Sequence, residues 1–338
     1  MDDFSFDVIV IGGGAAGLSA ALTLARARRS VLVLDGGEPR NAPAAGVHGF
    51  LSRDGIAPAD LIRLGTAEVT RYGGRILAAS VTSARPDGSG FAVRTGGGRR
   101  FAARRLLLCT GLVDELPDIP GLRQRWGRDV LHCPHCHGWE VRDQPIGVLG
   151  TGPHAVRQAL LFRQWSAEVT LFPHTAPEPT DEQWEELAAR EIAVVDGEVA
   201  ALEVTGDQLT GVRLASGRVV PTRALAVLPR FSGRGGIAAD LGLATTEHPA
   251  GVGSQIVADP TGRTAVPGVW AAGNVTDLMA PVIGAAAGAV TAGAAINNDL
   301  IAEDTRLAVE RRRDPFSPAA EARNCLLVLG DRRHGITP

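Results

Sequence analysis

Six consecutive residues, His132-Cys133-Pro134-His135-Cys136-His137, hold the most reactive grouping of side chains in the chain. Two cysteines three positions apart can cycle between dithiol and disulfide, or can give two thiolates to a metal. Flanking histidines suit either use, because an imidazole titrates near neutrality whereas a free thiol, with a pKa of about 8.5, is only a few per cent ionised there. A structural zinc site is the poorer fit. His132, His135 and His137 crowd the cysteines more tightly than the usual four-ligand spacing, and no second C-x-x-C or H-x₃₋₅-H follows.

The elements that must position this stretch are legible on both sides of it. Phe6 to Ile11 is an apolar, β-branched run that leads directly into Gly12-Gly13-Gly14-Ala15-Ala16-Gly17 and an apolar-periodic helix to about Arg29. A second strand, Ser30 to Leu34, ends at Asp35, 18 positions after Gly17. This is the full context of a dinucleotide fingerprint: one glycine for the turn, one for close approach of a pyrophosphate to the helix N-terminus, one for helix–strand packing, and an acid for the ribose.

An irregular segment, Gly36 to Gly55, contains His48 and is placed to run over a bound cofactor. A helix over about Ala57 to Tyr72, a meander of short strands over about Arg75 to Phe101, and a strand at Arg105 to Leu108 complete the first unit. Cys109 closes that last strand and reads as a small buried hydrophobe.

After the C-x-x-C the pattern restarts with a strand at Pro145 to Leu149, a second fingerprint at Gly150 to Ala155, a helix to about Trp165 and a strand at Ala167 to Phe172. An NADP site needs Arg or Lys just beyond that strand, and an NAD site needs an acid at its end. The sequence there is Pro173-His174-Thr175-Ala176-Pro177-Glu178. Two missing charge-assisted contacts at roughly 1.5–3 kcal/mol each weaken NADPH by about 10²- to 10⁴-fold. NADPH or NADH is thereby demoted from an expected partner.

A helix from Asp181 and short strands over Val199–Val204, Gly211–Leu214 and Ala224–Leu228 follow, and Pro267 to Val275 returns the chain to a cofactor face. The fold class is therefore α/β with two Rossmann-like three-layer domains, the second inserted in the first. The expected boundaries are 1–115 and 246–310 for the first domain, 116–245 for the inserted one, and 311–338 for a tail.

Composition agrees with such an enzyme. The chain has 338 residues, 45% hydrophobic and 42 of them glycine, and its 34 basic residues are all arginine. A net charge of −3 gives no reason to expect a nucleic-acid or anionic-membrane partner. Four cysteines, with Cys109 and Cys325 outside the pair, do not make a secreted disulfide framework, and the acidic N-terminus lacks the charge of a signal peptide, so a cytoplasmic protein is expected. Leu278 to Ile296 is uncharged over 19 residues but is mostly Ala and Gly, which reads as a buried helix against something flat rather than a membrane span.

The order of these motifs resembles the low-molecular-weight thioredoxin reductase family, from about Phe6 to Leu300: the Gly12–Gly17 fingerprint, Cys109-Thr110-Gly111 where the family has A-T-G, the C-x-x-C just before a second G-x-G-x-x-A, and P-G-V-W-A-A-G-N near the end. The resemblance implies FAD, held by Gly12, Gly14, Gly17, Asp35 and the Ala272-Gly273-Asn274 turn, and a homodimer. It extends the expected cofactor contacts to Ala15, Ala16, Gly36, Arg40, Asn41, His48, Thr110, Gly111, Ala280, Pro281 and Val282, with a Gly284–Ile296 helix aiming its N-terminus at the flavin pyrimidine edge.

The departures from the family are specific. The basic motif after the second nucleotide strand is absent, His137 stands where an Asp follows the second cysteine, Asn274 replaces the Asp of G-D-V, and Ala280-Pro281-Val282-Ile283 replaces R-Q-A. These changes resemble the thioredoxin-reductase-like dithiol oxidases of natural-product pathways, of the gliotoxin and holomycin type. That likeness implies that a small-molecule dithiol is closed to a disulfide, with electrons passing through FAD to O₂ to give H₂O₂. On that analogy Cys133 takes the substrate thiolate, Cys136 is the flavin-proximal partner, His137 is the acid–base candidate with His132 as the second, and His135 tunes the potential. The alternatives are an NAD(P)H- or ferredoxin-dependent disulfide reductase and the zinc protein. In the tail, Arg311–Arg313 reads as a solvated helix end and Asn324 to Gly330 as an edge strand or a patch packed across a dimer interface.

Overall fold

The computed structural model describes residues 5–234, 236–314 and 318–329. A seven-stranded sheet places Arg75–Ala78, Val31–Asp35, Ser5–Ile11, Arg100–Leu108, Gly90–Thr95 and Val81–Asp87 side by side. The first four strands run parallel and the last two antiparallel. Strand Arg100–Leu108 is shared lengthwise: Gly90–Thr95 pairs with its first half, and the late strand Val269–Ala271 pairs in parallel with its second. A chain segment near residue 270 thus completes a sheet begun at residue 5, and the turn after it packs on Ala16.

The alternation of the first strand fixes which layer covers each face. Val8 and Val10 pack under the helices Ala15–Arg26 and Val282–Arg313, whereas Ile9 and Ile11 pack against the antiparallel strands and Ile237 and Leu241. The two helices meet through small residues, and a Cβ at Gly293 would lie 3.2 Å from the Ala20 carbonyl oxygen. The first helix stops earlier than its apolar periodicity, at Arg26: Arg28 turns left-handed (φ 65°) and Arg29 N–H donates back to the Leu24 carbonyl, a Schellman closure.

The long helix extends far beyond Ile296. Its apolar stripe ends at Leu300, but Asp299, Glu303 and Asp304 continue it by pairing with Arg105, Arg104 and Arg29 of the sheet layer. Of the two readings of Asn324 to Gly330, the edge strand does not form: the segment up to Leu329 is part of a helix, Pro318–Leu329. It is rich in Ala and Leu and opens on proline, which favours helix over strand. Residue Gly330 lies outside the described residues.

The second unit is a five-stranded parallel sheet, ordered Ala193–Val194, Val169–Phe172, Ile146–Leu149, Ala224–Val227 and Val130–Leu131. A three-stranded antiparallel sheet (Val199–Thr205, Gln208–Leu214, Val219–Pro221) covers one face. Leu112–Glu115 and Arg230–Gly233 pair antiparallel as the chain enters and leaves this unit. The fold is the two-domain Rossmann-type arrangement, with the second unit interrupting the first. No described helix is long and apolar enough to cross a membrane.

Candidate active site

A cavity of about 780 Å³ opens between the two units, within the range of about 300–1,000 Å³ usual for cofactor sites. Gly12, Gly14, Ala15 and Ala16 line one end, with Asp35 and Gly36 beside them. At this end Gly12 sits at φ 109° with the Cys109 carbonyl oxygen 2.2 Å from where a Cβ would be, so only glycine fits. Gly14 has open space on its Cβ side, and the helix that follows it has no side-chain cap. Its first N–H groups, unsatisfied within the helix, are left for an anionic group. Asp35 Oδ1 accepts from Gly13 N–H at 3.1 Å, which fixes the carboxylate at the strand end.

Arg40, Asn41, His48, Thr110 and Gly111 line the middle, and Asn274, Ala280, Pro281 and Val282 form the far wall. Pro281 caps the long helix without a side-chain hydrogen bond, so a second uncapped helix N-terminus faces the same cavity. Asn274 holds the loop that leads there: its Nδ2 donates to the carbonyls of Asp277 (3.0 Å) and Ala280 (2.9 Å). Two open helix ends and a glycine cradle on one cavity fit a dinucleotide flavin.

Two of the expected contacts stand one layer behind the cavity wall. A Cβ at Gly17 would come within 1.9 Å of the Gly12 carbonyl oxygen, and one at Gly273 (φ 83°) within 2.8 Å of Ala16 Cβ. They shape the cradle by close packing rather than by facing a ligand. Arg40 does face the cavity, but its guanidinium is bidentate to the buried Asp114 at 2.7–3.1 Å and lies over the Phe231 ring, so its charge is already matched. Cys109 lines the wall as a buried residue whose thiol is pushed up to about 12 by desolvation, consistent with a core residue and not a thiolate.

Cys133 and Cys136 are joined as a disulfide, with Cα atoms 5.3 Å apart, and both line the cavity together with His132 and His137. The motif is one short helical turn, Pro134–His137, in which the Cys133 carbonyl accepts from the N–H groups of Cys136 (3.2 Å) and His137 (3.1 Å). Among the described residues no group of His, Cys, Asp and Glu could hold a metal ion. The pair is arranged for exchange chemistry.

The histidines differ in surroundings. His137 is half-buried, its Nε2 is buried without a partner, and desolvation lowers its pKa against the opposing pull of Glu140. His132 is pressed edge-on against Phe231 at 5.2 Å, and burial, reinforced by Arg40, lowers it to about 4. An acid of that strength and a thiol at about 8.5 are separated by about 6 kcal/mol, so His132 is a poor acceptor for a thiol proton. His135 is exposed and stands edge-on to Trp165 at 5.4 Å. His48, expected as a cofactor contact or a surface or packing residue, lies edge-on to His137 with ring centres 6.3 Å apart, and its Nε2 is 3.4 Å from Glu140. Glu140 was not legible as a site residue, because a turn and not a helix carries it back toward His137.

The second fingerprint is built differently. The turn after Val169–Phe172 folds onto Gly150, with Thr175 N–H donating to its carbonyl at 3.1 Å. His174, at φ 52°, accepts from Val199 N–H through Nδ1 at 3.0 Å. Desolvation lowers its pKa, and the bond itself requires that nitrogen to be unprotonated. Where a 2′-phosphate needs a cation, this chain holds a neutral imidazole tied to backbone.

The sequence profile of the pyridine nucleotide-disulphide oxidoreductases matches residues 6–293. Among curated proteins, thioredoxin reductase tcpT of Claviceps purpurea (strain 20.1) is 32% identical over 311 residues, 88% of this chain and 95% of that protein. The crystal structure of HlmI is 48% identical with a TM-score of 0.86, covering 91% of this chain and 97% of the other. An oxidoreductase from Agrobacterium tumefaciens is 39% identical with a TM-score of 0.83, covering 88% and 99%. With that profile matched over residues 6–293 and relatives of this identity covered over nearly their whole length, this chain belongs to the pyridine nucleotide-disulphide oxidoreductase family, in its thioredoxin-reductase-like branch, and is a flavin-dependent thiol–disulfide oxidoreductase.

Proposed function

We propose that the enzyme is an FAD-dependent dithiol oxidase that closes a disulfide in a small-molecule dithiol through Cys133 and Cys136. The observation that carries this direction is His174. A neutral imidazole, bound to Val199 N–H, occupies the place where the phosphate of NADPH requires positive charge. Electrons then enter from the substrate thiols.

The chain's own residues supply the exchange. His137, kept unprotonated by burial, takes the proton of a substrate thiol. The thiolate attacks Cys133 Sγ, the Cys133–Cys136 bond breaks, and Cys136 leaves as a thiolate. The second substrate thiolate displaces Cys133, and the substrate departs as a disulfide. The Gly12–Ala16 cradle, Asp35 and the Ala280–Val282 helix start would hold FAD, which would supply the acceptor for the electron pair and its outlet to O₂ as H₂O₂. The same reading takes 1–115 and 246–310 as the flavin domain and 116–245 as the disulfide-bearing unit, in a homodimer.

The relatives' name, thioredoxin reductase, favours the reverse direction, with electrons from NAD(P)H or ferredoxin leaving through Cys133 to a disulfide. Anaerobic titration of the yellow holoenzyme separates the two. The oxidase is bleached by a small dithiol and not by NADPH, NADH or reduced ferredoxin; rapid bleaching by any of these three at micromolar concentration overturns the proposal.

A further inference from the structure

Closing one disulfide moves one electron pair and removes two S–H protons. In the first exchange a bond forms from substrate sulfur to Cys133 Sγ, the Cys133–Cys136 bond breaks, and Cys136 leaves with the electron pair. In the second, the other substrate sulfur bonds to the first, and Cys133 leaves as a second thiolate. One imidazole accepts only one proton, so His137 can serve both thiols only if the first proton moves off it.

A place for that proton is built beside it. His48 stands in a loop closed by the Val47–Ile56 bridge, and a Cβ at Gly46 would crowd its Nε2 to 3.1 Å, so the ring lies close to backbone. Its two nitrogens each face a carboxylate, Nδ1 toward Asp54 at 3.5 Å and Nε2 toward Glu140 at 3.4 Å. Asp54 is itself held by Gly49 N–H at 2.8 Å, and that bond keeps its carboxylate charged by lowering its pKa. Glu140 acts on both rings, and His48 and His137 stand edge to face on the cavity that holds the cysteines.

The other charged groups nearby do not compete. Arg53, on the same loop, turns its guanidinium to the Ser52 carbonyl, while Arg40 and Asp114 pair with each other beside His132.

We infer that the first substrate proton passes from His137 by way of Glu140 to His48, which Asp54 and Glu140 flank, so that the two exchange steps end with two thiolates balanced by two imidazoliums. The inference rests on the dithiol-oxidase reading above. His48 and Glu140 are positioning residues that act through His137: neutral reactants become a pair of negative sulfurs and a pair of positive rings, with no net charge created in the half-buried site.

The test is the pH profile of cysteine alkylation. Holoenzyme is reduced anaerobically with dithiothreitol, desalted, and treated with iodoacetamide from about pH 5 to about pH 10, with adducts counted by mass spectrometry. Wild type is expected to react with an apparent midpoint below the ~8.5 of a free thiol. His48→Gln and Glu140→Gln each raise that midpoint, slowing alkylation at about pH 6.5 roughly tenfold while leaving the high-pH plateau unchanged. Midpoints equal to wild type in both variants overturn the relay, as do plateau rates that fall in step with the rates at the lower pH. The profile does not depend on the direction of electron flow. Shifted midpoints in an enzyme that makes no peroxide therefore sink the oxidase alone, and peroxide with unshifted midpoints sinks the relay alone.

Discussion

His132 and His137 flank the same pair of cysteines, and loss of solvent lowers the proton affinity of both. For His132, held at about 4, this has a consequence for stability. The unfolded imidazole, at about 6.5, binds its proton first as pH falls, so native stability is lost between about pH 6.5 and 4 and is fully present above that window. The shift corresponds to about 3 kcal/mol by pH 4. His132→Asn removes this titration: between about pH 7 and 4 the wild type is expected to lose about 3 kcal/mol more than the variant in denaturant unfolding, and equal losses contradict the burial argument. At this scale the cysteines and their adjacent histidines were legible because they are neighbours in sequence. The pairing of His48 with Glu140 was not, since folding alone brings that loop to the disulfide turn.

The loop from Gly273 to Pro281 and the long helix it leads into set one wall of the flavin site. Asn274 stabilises that loop as a donor to two carbonyls, which an aspartate cannot do. Asn274→Asp places a carboxylate against two carbonyl oxygens and costs about 2 kcal/mol at neutral pH, lowering the holoenzyme melting temperature by ~4 °C. Repulsion raises the pKa of the new carboxyl in the folded state, so the loss is largest above that pKa and shrinks as pH falls through it. A melting temperature at or above wild type in differential scanning fluorimetry contradicts the donor role.

The start of this helix was readable from its Ala- and Gly-rich apolar run. Its full extent to Arg313 was not, because past Leu300 the chain is held by ion pairs with Arg29, Arg104 and Arg105 and has no apolar period to follow. The edge-strand alternative for the tail gives way to a helix for a related reason: a short leucine-rich run fits either element, and the helix-forming residues before it decide.

For the whole molecule, two fingerprints and the late return to the first sheet made the interrupted architecture legible, since strand–turn–helix units at glycine motifs leave few arrangements. The antiparallel pair that joins the units carried no such signal, because Leu112–Glu115 and Arg230–Gly233 are short and meet only after folding. Direction of electron flow is a property at this scale: the first fingerprint opens on a cavity shared with the disulfide, whereas the turn after the second unit's nucleotide strand carries His174 on Val199 N–H.

The most direct test of that direction is H₂O₂ formation by the FAD-loaded enzyme from small dithiols in air, against a Cys136→Ser variant. The expected result is one peroxide per dithiol closed, abolished in the variant. No peroxide from any dithiol, together with good turnover on NADPH plus a disulfide, contradicts the account.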